Sequence, residues 1–327
     1  MSAREFVDVL DELYGKDPWP KPLHALHGTL LLDSGMTLHD AARTVGTTAH
    51  RLQQLHSADD RLTEILGLNP RDIETRYRNR ALATLGQLLV GRGAELAFER
   101  IYRDEMHTHE LQLHDLRESR TDTDYRLYNG QGRPVYRINI KFHGALFHRA
   151  PELVGLDPHD CFALATYKIN SALRKQQEEG LPYIFVVVGV RTLSGETVGA
   201  KIPSRYVDAL AYLYQAPRAQ GKRNFEDRVV DRLVSSGAAA FVETYERIRE
   251  ADWYIISARR ADRLLREKLY ERVFALRIPR FAQQFRSAEL DMHFSLADDL
   301  IPLRRFLTTL REAGHAKVVT LLERGEY

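Results

Sequence analysis

The stretch DYRLYNGQGRPVYRINIKFHG (residues 124–144) predicts two β-strands joined by a turn that contains glycine. In the second strand a polar series alternates with an apolar series, and the polar members are Arg137, Asn139 and Lys141. Alternate side chains of a strand share a face, so one face of this strand joins the core and the other is polar. The polar face is either solvated or has a chemical role.

The loop between the two strands decides which residues of the first strand join the polar face. An even loop of two or four residues puts Asp124 opposite Arg137 and Asp122 opposite Asn139. A three-residue loop would instead turn both aspartates toward isoleucines, where burying their charge would be costly. The even loop is therefore favoured, and it brings carboxylates to the face that carries Lys141.

The composition predicts a globular chain of two or three units. The chain has 327 residues, of which 44% are hydrophobic and 28% are charged. The 47 basic and 45 acidic residues give a net charge of +2, which does not by itself indicate a polyanionic partner. No apolar run is long enough for a membrane span, and the acidic opening segment is unlike a leader peptide. With Cys161 as its single cysteine, the sequence favours a cytoplasmic protein that has no membrane association.

The segment 36–57 predicts two short helices in helix-turn-helix order. Thr37 has the spacing of a helix cap, small alanines follow it, and Gly46 ends the first helix. The segment resembles the helix-turn-helix families over about twenty residues. Its second helix would expose four candidate nucleic-acid contacts, namely Thr48, His50, Arg51 and Gln54. Small helical bundles that bind proteins show the same pattern, so both interpretations stay open.

Residues 79–104 place apolar side chains at helical intervals, and Glu95 lies on or beside that apolar stripe. A carboxylate in this position needs a partner, because burying it unpaired is costly. Either an ion pair with Arg92 or Arg103 or a functional role would satisfy it.

The order of elements predicts an α/β fold with a mixed central sheet flanked by helices. Strands are expected at 109–116, 123–129 and 133–142, followed by an amphipathic helix at 159–180 and a buried strand at 182–190. The chain then divides into a helical region (1–78), a core (79–214) and a carboxy-terminal α/β region (215–327). The last region either forms a separate domain or extends the same sheet.

The polar face combines oxygen ligands with an ammonium group. Hard divalent cations prefer carboxylate and carbonyl oxygens, and Mg²⁺ is commonly held by one or two carboxylates. A neighbouring lysine can position or help to deprotonate a bound water, while the metal stabilises charge that develops on a phosphodiester.

Glu95 on a helix, Asp124 on a strand and Asn139-Ile140-Lys141 on the next strand resemble the core of the PD-(D/E)xK nuclease superfamily. The resemblance covers about residues 80–190 and implies a restriction-endonuclease-like αβββαβ core. It implies that Glu95 and Asp124 bind Mg²⁺ or Mn²⁺ together with the Ile140 carbonyl, and that Lys141 serves the attacking water. Asn139 stands where an acidic residue is usual, so the chain departs from the family pattern there.

Three further residues surround the predicted site. Asp122 is an alternative ligand that could replace the missing charge at Asn139, and Arg137 and His143 flank the site as candidate phosphate contacts. The sequence therefore predicts a metal-dependent endonuclease acting on DNA, of a restriction or defence type, with a homodimer as one form. The alternative is a non-catalytic DNA-binding regulator with an inactive nuclease-like core.

Overall fold

The protein is represented by a computed structural model that describes residues 1–15, 19–66, 70–106, 110–117, 123–144, 146–190, 193–215, 222–274 and 290–324. The helices are α1 (Ala3–Tyr14), α2 (Lys21–Asp33), α3 (Leu38–Thr44), α4 (Ala49–Leu66), α5 (Pro70–Met106), α6 (Ala150–Val154), α7 (Thr166–Glu179), α8 (Gly195–Gly199), α9 (Ser204–Gln215), α10 (Lys222–Ser235), α11 (Ala239–Arg249), α12 (Ala258–Glu267), α13 (Leu269–Arg272) and α14 (Leu303–Arg324). The strands are β1 (Gln112–Asp115), β2 (Tyr125–Tyr128), β3 (Pro134–His143), β4 (Cys161–Ala165), β5 (Tyr183–Gly189), β6 (Asp252–Ser257), β7 (Val273–Phe274), β8 (Asp291–Ser295) and β9 (Ile301–Pro302).

The larger sheet is mixed, which confirms the predicted α/β class. Its six strands have the order β1-β2-β3-β5-β6-β9. The pair β3 and β5 is parallel, and the other neighbours are antiparallel. Strands β6 and β9 come from the carboxy-terminal region, so that region extends the central sheet. The finer prediction of a restriction-endonuclease-like core stays a prediction.

A second, three-stranded sheet corrects one predicted element. The segment 159–180 was expected to be one helix, but residues Cys161–Ala165 form β4 and only Thr166–Glu179 is helical. Strand β4 pairs with β8, more than a hundred residues later in the chain, and β8 pairs with β7. A partner so distant leaves no local signal in the sequence. The predicted end of the helix at Gly180 is confirmed, since Gly180 adopts a left-handed conformation there.

Each face of the larger sheet packs against helices. On one face Phe185, Val187 and Ile256 join a buried cluster with residues of α7, α12, β4 and β8. On the other face the Tyr136 ring meets Phe306 of α14, and Tyr125 meets Phe98 of α5. Helices α5 and α7 therefore approach the central strands from opposite faces.

The β2–β3 hairpin has a different register from the predicted one. The predicted even loop is wrong: Asn129 faces Arg133 across a three-residue loop, with Gly132 at φ +70°. A β-bulge follows, because Tyr128 pairs with Pro134 whereas Leu127 pairs with Tyr136. The extra residue restores the facing that the odd loop would have lost.

The bulge also shifts which residues lie level with each other. Arg137 pairs with Arg126 and Tyr125 with Ile138, so Asp124 lies level with Asn139 and not with Arg137. The predicted pairing was therefore wrong by two residues. Asp124 nevertheless shares the side of Asn139 and Lys141, since a shift of two keeps the same face.

Contacts within the chain define two compact units that are discontinuous in sequence. The first comprises residues 1–92 and 194–244, and the second comprises 93–193 and 245–327. The three continuous regions predicted from the sequence, 1–78, 79–214 and 215–327, stay a prediction. In the described ranges no helix has the length and apolar character needed to cross a membrane.

Glycines bring helices of the first unit into close contact. A Cβ atom added at Gly86 of α5 would overlap the Gly195 carbonyl oxygen, which is a backbone atom and cannot rotate away. We expect Gly86→Ala to lower the free energy of unfolding by about 3 kcal/mol, as overpacking does. The control is Gly91→Ala on the same helix, where an added Cβ meets nothing within 4 Å and alanine should stabilise by about 1 kcal/mol. Chemical denaturation measures both, and equal stability of the two variants would contradict the packing.

Candidate active site

Asp124 and Lys141 meet where β2 and β3 separate. Pairing of β2 with β3 ends at Tyr125, so residues 139–143 of β3 continue beyond it. The Asp124 Oδ2 atom fills the first vacant place in the ladder and accepts a hydrogen bond from the Ile140 N–H at 2.6 Å. The N–H and C=O groups of one strand residue point to the same edge, so the Ile140 carbonyl also faces Asp124. The Lys141 Nζ atom donates to that carbonyl at 3.2 Å.

Asp124 and Lys141 are both partly buried at this fork, the place where β2 and β3 separate. Burial raises the pKa of Asp124, while the Lys141 ammonium and the Ile140 N–H act in the opposite direction. Burial lowers the pKa of Lys141 to about 8, although the Asp124 carboxylate opposes the change. A lysine that exchanges its proton near neutral pH is suited to acid–base chemistry or to holding a water.

Glu95 extends from α5 toward the same region and is bound by Arg117. The Arg117 Nη1 atom donates to Glu95 Oε2 at 2.7 Å, and Nη2 donates to Glu99 Oε1 at 2.8 Å. The same guanidinium donates from Nε to Asp115 Oδ1 at 2.8 Å and lies 5.3 Å from the Tyr125 ring centre. An ion pair was one of the two expectations for Glu95, but the sequence suggested Arg92 or Arg103 as its partner.

Arg117 is the central cation of an acidic cluster formed by Glu95, Glu99 and Asp115. Its side chain is only 17% exposed. Burial alone would lower the pKa of Arg117, but the hydrogen bonds to Asp115 and Glu95 outweigh it and the net pKa is raised. In this conformation the Arg117 guanidinium binds three carboxylates, and Glu95 is one member of this structural ion-pair network.

Three other predicted site residues lie on β3. Asn139 is half-buried and shares the face of Lys141. The Arg137 side chain is 4% exposed and forms an ion pair with Glu179 of α7, an arrangement that favours a structural role over contact with phosphate. His143 lies at the end of the strand, with its ring centre 4.8 Å from that of Phe147.

The donor groups at the fork suit a hard cation only in part. The Asp124 carboxylate and the Ile140 carbonyl are oxygen ligands of the kind that Mg²⁺ and Mn²⁺ bind. Glu95 would add a second carboxylate if its contact with Arg117 were shared or broken. Within the described ranges no group of three or more His, Cys, Asp or Glu side chains is arranged to hold a metal ion. Asp122, the alternative ligand, lies outside the described residues.

Lys168 of α7 is a residue of this region that the sequence did not single out as functional. It is exposed, its ammonium lies 5.8 Å from the Tyr167 ring centre, and its charge contributes to lowering the pKa of Lys141. Its position near Lys141 follows from the fold and has no local signal in the sequence.

The helix-turn-helix segment lies in the first unit, in α3 and α4. Thr37 caps α3 as predicted, and Ala41 and Ala42 pack against Leu52 of α4. The four predicted contact residues are all exposed, and they are Thr48, His50, Arg51 and Gln54. Their geometry leaves them accessible to a partner, and contact with nucleic acid stays a prediction.

Comparison of the chain with protein-family models, with curated proteins and with solved structures finds no match.

Proposed function

We propose that this chain is a metal-dependent endonuclease that hydrolyses phosphodiester bonds of DNA. One observation carries the proposal: Asp124, the Ile140 carbonyl and Lys141 converge where β2 and β3 separate. A carboxylate and a carbonyl can hold a hard cation, and an ammonium beside them can position the water that attacks a phosphodiester. The resemblance to the PD-(D/E)xK superfamily assigns roles to the same three residues and supports the proposal.

In the proposed reaction water attacks phosphorus and forms a new P–O bond while the P–O bond to one sugar oxygen breaks. The water loses a proton to solvent, and the leaving sugar oxygen takes one up, so that a phosphomonoester and an alcohol result. Asp124 and the Ile140 carbonyl would hold Mg²⁺ or Mn²⁺, which lowers the pKa of bound water and stabilises charge on the phosphate when it is present. Lys141 holds the attacking water by a hydrogen bond and places positive charge next to the phosphate. Asn139, level with Asp124, supplies an amide that can donate or accept a hydrogen bond without changing the charge.

The test is cleavage of supercoiled plasmid and of single-stranded DNA with Mg²⁺ or Mn²⁺, and then with EDTA. We expect nicking that requires metal, and we expect Asp124→Asn to lower its rate at least ~100-fold, since the variant removes the anionic ligand of the cation that would stabilise the transition state. The control is Asp252→Asn, which alters an exposed carboxylate at the start of β6. DNA that stays intact with the wild-type protein under all metal conditions would reject the proposal. Incubation with RNA under the same conditions tests whether the protein is instead an RNA nuclease.

A second candidate is a non-catalytic DNA-binding regulator. Two observations favour it: Asn139 carries no charge, and Glu95 is held by Arg117. The regulator would use the exposed residues of α4 for contact. A gel shift without nicking would select it, and loss of that shift in Arg51→Ala would place the contact on α4.

A cytoplasmic location and a homodimer belong to the same proposal. A dimer would present two sites to the two strands of a duplex, and light scattering of the purified protein measures its mass directly.

A further inference from the structure

The arginine-rich run 258–272 divides into internal and exposed residues. Arg260 is 8% exposed and donates from Nε to the Asp299 carbonyl at 2.7 Å. Arg272 points to the Asp299 carboxylate, with Nη1 and Oδ2 3.4 Å apart. These two arginines stabilise the turn after β8. Arg259 and Arg263, in contrast, are exposed on α12.

Arg259, Arg263 and Arg266 line one side of a groove between α12 and α7. Their spacing of four and three residues puts them on one face of the helix. The groove has a volume of about 400 Å³, and its other lining residues are Asp262, Leu173 and Gln177. Three arginines and one aspartate leave a charge of +2. Five of the six lining residues carry a charge or an amide, whereas sites for typical organic ligands are lined mainly by hydrophobic and aromatic residues.

Arg266 and Arg263 differ in their ion pairs with neighbouring side chains. Arg266 forms an ion pair with Asp262, whose side chain is 10% exposed, and so neutralises the one acidic group among the described residues that line the groove. Arg263 has no ion pair among the described residues. Its five donors therefore face solvent in a fork that suits a phosphate oxygen pair.

Helix α7 connects this groove with the candidate active site. Lys168, beside Lys141, and Gln177, in the groove, are nine residues apart on α7, which is two and a half helical turns. They therefore lie on opposite flanks of the helix, about 14 Å apart along its axis. With the helix diameter of about 10 Å added across the axis, the separation is about 17 Å, which one DNA strand covers in about five nucleotides. A strand that reaches Lys141 can thus pass over α7 and continue into the groove.

We infer that the groove between α7 and α12 binds the phosphodiester backbone of DNA on one side of the cleavage site. The inference rests on the proposed function for the identity of the polyanion. Arg259 and Arg263 contact phosphates, and Arg266 keeps Asp262 from repelling them. Such contacts add affinity without reading the base sequence.

The test measures the affinity of a fluorescent DNA duplex by anisotropy at several salt concentrations, in EDTA so that no cleavage occurs. We expect the double variant Arg259→Gln/Arg263→Gln to bind at least ~10-fold more weakly at low salt. Its plot of log affinity against log salt should be less steep by about 2, one for each lost phosphate contact. The matched control, Arg304→Gln/Arg305→Gln on α14, removes the same charge from another exposed surface.

Each outcome decides the inference separately from the nuclease proposal. Binding that is unchanged in the groove variant, or lowered equally in the control, overturns the groove. A wild-type protein that binds DNA through the groove but never cuts it rejects the nuclease and leaves the groove supported. Circular dichroism melting of both variants, whose altered side chains are exposed, shows that they are folded.

Discussion

Lys141→Ala is expected to lower the rate of metal-dependent DNA cleavage at least ~100-fold, the lower range for removing one donor that stabilises charge in the transition state. The reason is its place at the fork, where its Nζ atom lies 3.2 Å from the Ile140 carbonyl and next to Asp124. Single-turnover cleavage of a labelled duplex measures the chemical step, and anisotropy in EDTA measures binding. We expect the loss in the rate and little change in binding.

Two further variants make this result specific to Lys141. Lys141→Arg keeps the positive charge on a group that stays protonated, so partial activity in that variant indicates that charge matters more than proton transfer. Lys317→Ala removes an exposed lysine of α14 and should leave cleavage unchanged. Full activity of Lys141→Ala would remove Lys141 from the mechanism.

Arg117→Gln is expected to lower the free energy of unfolding by about 2 kcal/mol, less than the ~3 kcal/mol for a fully buried ion pair, because the cluster is partly exposed. The substitution leaves the carboxylates of Glu95, Glu99 and Asp115 close together with no cation between them. Urea denaturation at neutral pH measures the change.

Arg100→Gln is the control for this prediction. Arg100 also forms an ion pair from α5, with Asp104 at 2.8 Å, but both side chains are more than half exposed. Exposed pairs of this kind contribute about 0.5 kcal/mol or less. If both variants lost the same stability, Arg117 would be an ordinary surface arginine and its cluster would have no special weight.

Local patterns predicted the elements of the central sheet but not the long-range pairs. The alternation of polar and apolar residues in β3 indicates a strand that is buried on one face, and the apolar run in β5 indicates a strand that is buried on both. Each pattern is local, so it identifies the strand without knowledge of its partner. Strand β4 was assigned to a helix because its partner β8 is remote in sequence. The register of β2 was wrong because a bulge has no clear signature in a single sequence.

The sequence predicted which side chains share a face of the strands at the candidate site. It did not predict which side chains from distant parts of the chain pack against them. Alternation along β3 placed Asn139 and Lys141 together, and the hairpin placed Asp124 on the same side. The guanidinium of Arg117 lies 22 residues from Glu95 in sequence, so no periodicity links them. Arg137 has the right facing for the site, yet α7 covers it and supplies Glu179 as its partner.

The three-residue loop and the bulge of the β2–β3 hairpin act as two compensating insertions. Each alone would rotate Asp124 away from Lys141, and together they cancel. Val135 is the extra residue of the bulge, so its deletion alone would turn Asp124 to the face of β3 opposite Lys141. Insertions and deletions in this hairpin therefore keep Asp124 on the side of Lys141 only when an even number of residues is gained or lost.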